Sequence, residues 1–283
     1  DLGVNLIDTA EMYGEGISES IVGEAIRARR NEATVATKVS PTHLRYSSVL
    51  KAAERSLGRL GIREIDLYQI HWPNPLVPLK ETMRAMEKLV SNGKIRYIGV
   101  SNFSAGLLMK AQEALAKEEI VSNQVKYNLL QRGVEKQLLP YAKREGMTIL
   151  AYSPLAQGML TGKFSNPITT GVRSLNAIFT NRGNFNRSLR IVDVVRKIGE
   201  NHGRTTSQVA LSWLMSDSTV VPIPGAKSVE QLKDNIAAAD WRLTPEDRAL
   251  IDAACESFEL KRSVNPLPAI GFIAGKVYRK IVG

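Results

Sequence analysis

The sequence predicts an α/β protein, a single-domain (β/α)₈ barrel of the TIM type, on three observations. Short runs rich in Val, Ile and Leu alternate along the chain with amphipathic stretches of helical length. Most of these runs are continuously apolar rather than alternating apolar with polar, as burial on both faces of a parallel sheet requires. No break in composition and no Ser/Gly linker divides the 283 residues. The whole chain is therefore expected to be one domain, with barrel units to about residue 240 and a C-terminal helix and tail over about 241–283.

The first strand is read at 4–7 (VNLI), followed by a helix over 18–30. TVAT at 34–37 leads to a helix over 47–60, DLYQI at 66–70 to one over 79–91, and IRYIGV at 95–100 to one over 105–117. VSNQVKY at 121–127 precedes a helix over 135–145, and MTILAY at 147–152 precedes a long loop and helices near 188–202 and 207–215. TVVPI at 219–223 with a helix over 228–238 completes the series. A further helix is expected after Leu243, where Thr244 supplies an N-cap, Pro245 the first helical residue and Glu246 a first-turn acid. These make about seven βα units, one short of the eight of a closed barrel. The first strand is expected to lie before Asp1, in a unit of on the order of 30 residues. An open doubly wound sheet is the competing architecture, but its dinucleotide fingerprint is absent, because Gly14-Glu15-Gly16 continues to Glu19 where a third glycine belongs. The stretch from Gly158 to Lys163 fails as a phosphate loop, with Phe164 where Ser or Thr is needed.

Thirty-eight Lys and Arg against 28 Asp and Glu give a net charge of +10 and a pI near 9.7, which favours polyanionic ligands. No nucleic-acid motif accompanies that charge, so no nucleic-acid partner is expected. The lone Cys255 excludes an intrachain disulfide framework and a Cys-based zinc cluster, the usage expected of a cytoplasmic protein. A strand beginning at Val4 leaves no room for a signal peptide within these residues. No apolar run reaches the roughly 18 residues of a transmembrane helix. The apolar tail over 269–282 is broken by Lys276, Arg279 and Lys280 and reads as a docked extension, not a membrane insertion.

Chemistry in a barrel of this kind sits where strands end and βα loops begin. The first three strands end in Asp8, Lys38 and His71, each a titratable residue closing an apolar run, and Tyr13 follows Asp8 in the same loop. Neighbouring strands should bring the four together. Singly each has a plain structural reading: Asp8 as a loop cap, Lys38 snorkelling, Tyr13 as rim packing, His71 as a hydrogen-bonded core residue. Jointly they read differently. A buried lysine needs a partner, and Asp8 on the adjacent strand supplies it. A cation beside Tyr13 is expected to favour phenolate and lower its pKa. His71 could orient a carbonyl oxygen or share the tyrosine proton. The set protonates a developing alkoxide and forms no metal cage.

At these residues the sequence resembles the aldo-keto reductase family. The resemblance runs from Asp8 to about Asn235, through DTAEMYGEGISESIVGEAI, VATKV, DLYQIHWP, IRYIGVSNF, NQVKYNLL, AYSPLAQGMLTGK and PIPGAKSVEQLKDN. It implies a barrel that uses NADPH, with NADH possible, to reduce a small aldehyde or ketone reversibly. Tyr13 would be the general acid/base, Lys38 and Asp8 the pair that tunes it, and His71 the residue that orients the carbonyl. Ser101, Asn102 and Gln124 would bind the carboxamide, and Tyr152 would stack on the nicotinamide. Ser153, Leu155, Gln157 and Gly158 would approach the pyrophosphate. Gly225, Lys227 and Ser228 would meet the adenosine phosphates at a helix start. Asn235 would contact adenine, and Trp72 would line the substrate pocket. Gln231 stands where members preferring NADP usually carry arginine, which weakens discrimination against NADH.

The segment over 164–185 reads as a lid. Trp213 and Trp241 read as packing residues, His43 and His202 carry no assignment, and Cys255 is expected to be inert. A cofactor-sensing regulatory subunit, like potassium-channel β subunits, is the alternative function on the same fold. No obligate protein partner is evident.

Overall fold

The computed structural model describes residues 2–166, 181–256 and 258–260. The chain forms two compact units, one of residues 1–154 with 211–242 and the other of residues 155–210 with 243–283.

The first unit holds a parallel sheet of seven strands: β1 (Leu6–Asp8), β2 (Thr34–Val39), β3 (Ile65–Ile70), β4 (Ile95–Ser101), β5 (Ile120–Lys126), β6 (Thr148–Tyr152) and β7 (Val220–Ile223). They lie side by side in sequence order. The sheet curls strongly. β1 and β5 are four strand positions apart, about 19 Å in a flat sheet, yet Gln124 Nε2 of β5 donates to Asp8 Oδ1 of β1 at 2.8 Å. This sequential, curled parallel sheet is the wall of a (β/α)₈-type barrel. Inside it pack Leu6, Ala36, Leu67, Val121 and Leu150. Gly99 faces the same interior, where a Cβ would stand 2.7 Å from Ser122 Oγ and 2.9 Å from Gln69 Cγ.

Helices α1 (Ile17–Ile26), α2 (Tyr46–Leu60), α3 (Leu79–Ser91), α4 (Ala105–Glu113) and α5 (Leu138–Arg144) follow the first strands in turn. Helix α4 stops four residues short of its expected end. Glu87 Oε1 of α3 captures the N–H groups of Ala116 (2.7 Å) and Lys117 (2.8 Å), and Gln112 binds Glu118 O and Ile120 N–H, so these groups leave the helical ladder. Helix α5 begins three residues late, after a 3-10 turn at Gly133–Lys136 in which Glu135 turns to Tyr127 and Arg132.

The second unit contains α6 (Arg182–His202), the first half of α7 (Thr206–Met215) and α9 (Pro245–Glu256); α8 (Val229–Ile236) belongs to the first unit. Helix α6 starts six residues before the periodic pattern does. Asn181 Oδ1 accepts from Asn184 N–H at 2.9 Å, a cap that Gly183 obscures in the sequence. The expected cap of α9 is present, with Asp247 N–H donating to Thr244 Oγ1 at 3.1 Å. Phe185, Val192, Val195 and Cys255 are buried. Residues 167–180 of the expected lid, and the apolar tail, lie outside the described residues. Among the described residues no helix is long and apolar enough to cross a membrane.

Gly23 lets α1 approach α2, since a Cβ there would lie 2.3 Å from Leu60 O and 2.8 Å from Leu60 Cα, both fixed backbone atoms. Gly23→Ala is expected to destabilise the protein by about 2–3 kcal/mol, measured as a lowered urea midpoint. Gly58, on α2, has open space where a Cβ would go, and its alanine variant serves as the control that leaves the midpoint in place or raises it.

Candidate active site

Asp8, Lys38 and His71 leave the sheet at the ends of β1, β2 and β3, and the pleat turns the first two inward. Lys38 has no exposed side-chain surface, which removes the snorkelling reading. Its ammonium donates to Asp8 Oδ2 at 2.6 Å, to Thr9 O at 2.8 Å and to Tyr13 Oη at 3.4 Å. Each of its three protons therefore has an acceptor. Asp8 Oδ1 in turn accepts from Gln124 (2.8 Å) and Gln69 (3.4 Å). The Tyr13 ring meets His71 edge-on, with centroids 5.6 Å apart and planes at 85°.

The structure corrects one expectation about Tyr13. Burial, and then the negative charge of Asp8, push its phenol up to about 12, where the neighbouring cation was expected to lower it. The reason is first the loss of solvent around the phenol and second the charge of Asp8, with which Lys38 is already paired at 2.6 Å. Tyr13 is therefore a protonated donor at neutral pH. Burial, followed by Lys38, pushes His71 down to about 4, so its imidazole is neutral. His71 Nδ1 is buried without a hydrogen-bond partner. Nε2 is thus the ring nitrogen left to meet a substrate oxygen.

Ser101, Asn102, Gln124 and Tyr152 meet at the ends of β4, β5 and β6. Ser101 Oγ donates to Gln124 O (2.9 Å), Asn102 Nδ2 donates to His71 O (3.1 Å) and Ser101 Oγ (2.9 Å), and Tyr152 Oη donates to Asn102 Oδ1 (3.0 Å). Asn102 and Ser153 have φ of 63° and 51°, left-handed values that turn the chain sharply after each strand. Trp72, beside His71, is half exposed.

Gly225, Lys227, Ser228, Gln231 and Asn235 lie on the loop before α8 and on that helix, and no hydrogen bond links them to the four titratable residues. Ser228 caps α8 by accepting from Gln231 N–H (3.3 Å), while Gln231 Oε1 accepts from Lys227 N–H (2.9 Å). Gln231 is therefore already part of a reciprocal cap. In the second unit, Leu155 begins a turn in which Ala156, Gln157 and Gly158 have successive φ values of 49°, 57° and 95°. Gly158 N–H donates to Leu155 O at 2.9 Å.

Two buried carboxylates missed in the sequence hold the Tyr13 loop. Glu11 Oε1 accepts from Ser40 N–H at 2.6 Å and lies 2.9 Å from His43 Nδ1, with Arg55 3.5 Å from its other oxygen. Glu19, fully buried, accepts from Thr37 Oγ1 (2.6 Å) and Arg59 (2.6 Å). No local pattern announces them, because their partners come from β2, α2 and the loop between. Among the described residues no group of His, Cys, Asp and Glu converges as a metal site.

A sequence model of the Aldo/keto reductase family matches residues 1–256. An oxidoreductase of Mycobacterium tuberculosis (strain ATCC 25618 / H37Rv), described as uncharacterized, is 43% identical over 99% of this chain and 84% of its own. The NADH-specific methylglyoxal reductase of Escherichia coli K12 is 33% identical over 91% of this chain and 85% of its own. The crystal structure of an aldo/keto reductase from Klebsiella pneumoniae, in complex with NADP and acetate, superposes with a TM-score of 0.75 at 34% identity, covering 95% of this chain and 85% of that one.

The neutral state of His71 is directly measurable. NMR titration is expected to place its midpoint near 4 instead of 6.5. The unfolded chain takes up a proton at 6.5 and the folded chain only near 4. The folded state therefore loses stability as pH falls from 6.5 toward 4, and this loss vanishes above 6.5. A midpoint above 6 would remove the neutral-donor assignment.

Proposed function

Because this chain belongs to the Aldo/keto reductase family, we propose that it reduces a small aldehyde or ketone to the alcohol, reversibly, with Tyr13 as the proton donor. The observation that carries the reading is the ammonium of Lys38 shared among Asp8, Thr9 O and Tyr13 Oη. Tyr13 Oη accepts from Lys38, so its own proton is left to point at a ligand. His71 Nε2–H donates a second hydrogen bond to the same carbonyl oxygen and holds it against the phenol. As the C–O bond becomes an alkoxide, Tyr13 transfers its proton, and the phenolate left behind stands beside the Lys38 ammonium. Solvent then reprotonates it.

NADPH, when bound, supplies the hydride. The residues at the strand ends fit such a group. Gln124 Oε1 accepts no hydrogen bond from a described residue and can take one from a carboxamide, and Ser101 and Asn102 stand beside it. Tyr152 offers an aromatic face, with its hydroxyl tied to Asn102. Stacking and amide bonding together select one face of the nicotinamide for the substrate. Lys227 and Ser228 serve the adenosine phosphates, and Asn235 the adenine. With the neutral Gln231 in the first turn of α8, NADH remains a usable donor.

Two variants test the reading. Tyr13→Phe is expected to lower kcat/KM for aldehyde reduction by about 10³-fold while the NADPH Kd, measured by fluorescence, changes little. Turnover near that of the wild type would refute Tyr13 as the donor. Gln231→Arg is expected to tighten NADPH relative to NADH by on the order of tenfold, one charge-assisted hydrogen bond. An equal change for both would show that this position does not face the 2′-phosphate.

A further inference from the structure

Lys126 ends β5 two residues beyond Gln124, whose side chain reaches inward to Asp8. Residues two apart on a strand share a face, so Lys126 also faces the strand-end site, one step nearer its mouth. It stands opposite Tyr152 in the register of β5 with β6, and its ammonium lies 5.8 Å from the centroid of the Tyr152 ring. Lys126 is half-buried and forms no ion pair with a described residue. Its burial pushes its pKa down.

The other titratable groups at the strand ends cancel or are neutral. Lys38 is offset by Asp8 at 2.6 Å, His71 is neutral with its pKa near 4, and Tyr13 stays protonated with its pKa near 12. Lys126 is therefore the charge that a ligand resting on Tyr152 meets. The nicotinamide ring is neutral when reduced and cationic when oxidised. A cationic ring would compete with Lys126 for the negative π face of Tyr152 and be repelled by the ammonium, whereas a neutral ring would feel neither effect to first order.

We infer that Lys126 determines which redox state of the dinucleotide is held, favouring the reduced, neutral nicotinamide over the oxidised cation. The inference rests on the reading above that Tyr152 carries the nicotinamide. Its consequence is directional: the Lys126 ammonium loads the site for reduction and promotes departure of the oxidised product.

The test uses dissociation constants and needs no substrate. NADPH and NADP⁺ carry the same phosphates, so the ratio of their Kd values isolates the ring charge. Lys126→Met keeps most of the apolar stem and removes the charge; Lys126→Arg keeps the charge. With fluorescence titrations at one ionic strength, Lys126→Met is expected to shift the ratio toward NADP⁺ by about tenfold, and Lys126→Arg to keep the wild-type ratio. Two outcomes overturn the inference: an unchanged ratio in Lys126→Met, which places the amine on a phosphate when both ligands weaken equally, or Lys126→Arg behaving like Lys126→Met. The cofactor reading fails separately, if the wild-type protein binds neither dinucleotide.

Discussion

The ion pair between Asp8 and Lys38 is the constraint on which the site depends. An ammonium with no exposed surface is stable only if its protons are satisfied and its charge balanced. Asp8 Oδ2, Thr9 O and Tyr13 Oη do this from β1 and the loop that follows it. The second carboxylate oxygen draws in Gln69 from β3 and Gln124 from β5. One pair of opposite charges thus ties together four strands, and it can do so only because the sheet curls enough to bring β5 back to β1.

Tyr13 sits on a loop, the part of a fold least able to hold an atom in place. Here the loop is fastened on both sides of the tyrosine. Glu11 binds the N–H of Ser40 just past β2, and Glu19 binds Thr37 within β2 and Arg59 on α2. Gly16 completes the attachment by packing on Arg59, where a Cβ would meet Cδ at 2.5 Å. The phenol is thereby half exposed to a ligand yet tied to Lys38. Positioning of this kind lowers the reorganisation needed at the moment of proton transfer.

The electrostatics of the site run against the simplest expectation. A lysine beside a tyrosine suggests an acidic phenol, but burial and then Asp8, to which Lys38 is already paired, decide the direction. Balance at this point also makes Lys126 conspicuous, as a cation on an aromatic ring that forms no ion pair with a described residue. The +10 charge of the whole chain acts at longer range, as a field that favours phosphate-bearing ligands.

Local pattern located the strands, with β1 and β2 each ending past the residues first read, at Asp8 and Val39, and it singled out the titratable residues near their ends. Burial on two faces leaves a continuous apolar run that any seven-residue window shows, and a charged residue closing such a run is equally local. LID, VATK and YQIH therefore placed Asp8, Lys38 and His71 correctly, and Thr244 marked the start of α9. Where local pattern and distant partner disagreed, the sequence misled: α4 ends early because Glu87 of α3 takes its next donors. The early start of α6 is local, an Asn181 cap hidden behind Gly183. Only the tertiary structure decided which groups pair. Glu11 meets partners 29 and 32 residues away, and Gln124 meets Asp8 at a separation of 116. The upward shift of Tyr13 comes first from its burial and second from the Asp8 carboxylate that the fold sets beside it. Burial has a period that a sequence displays, whereas Coulomb and hydrogen-bond energies depend on separations of a few ångströms that exist only once the sheet has curled.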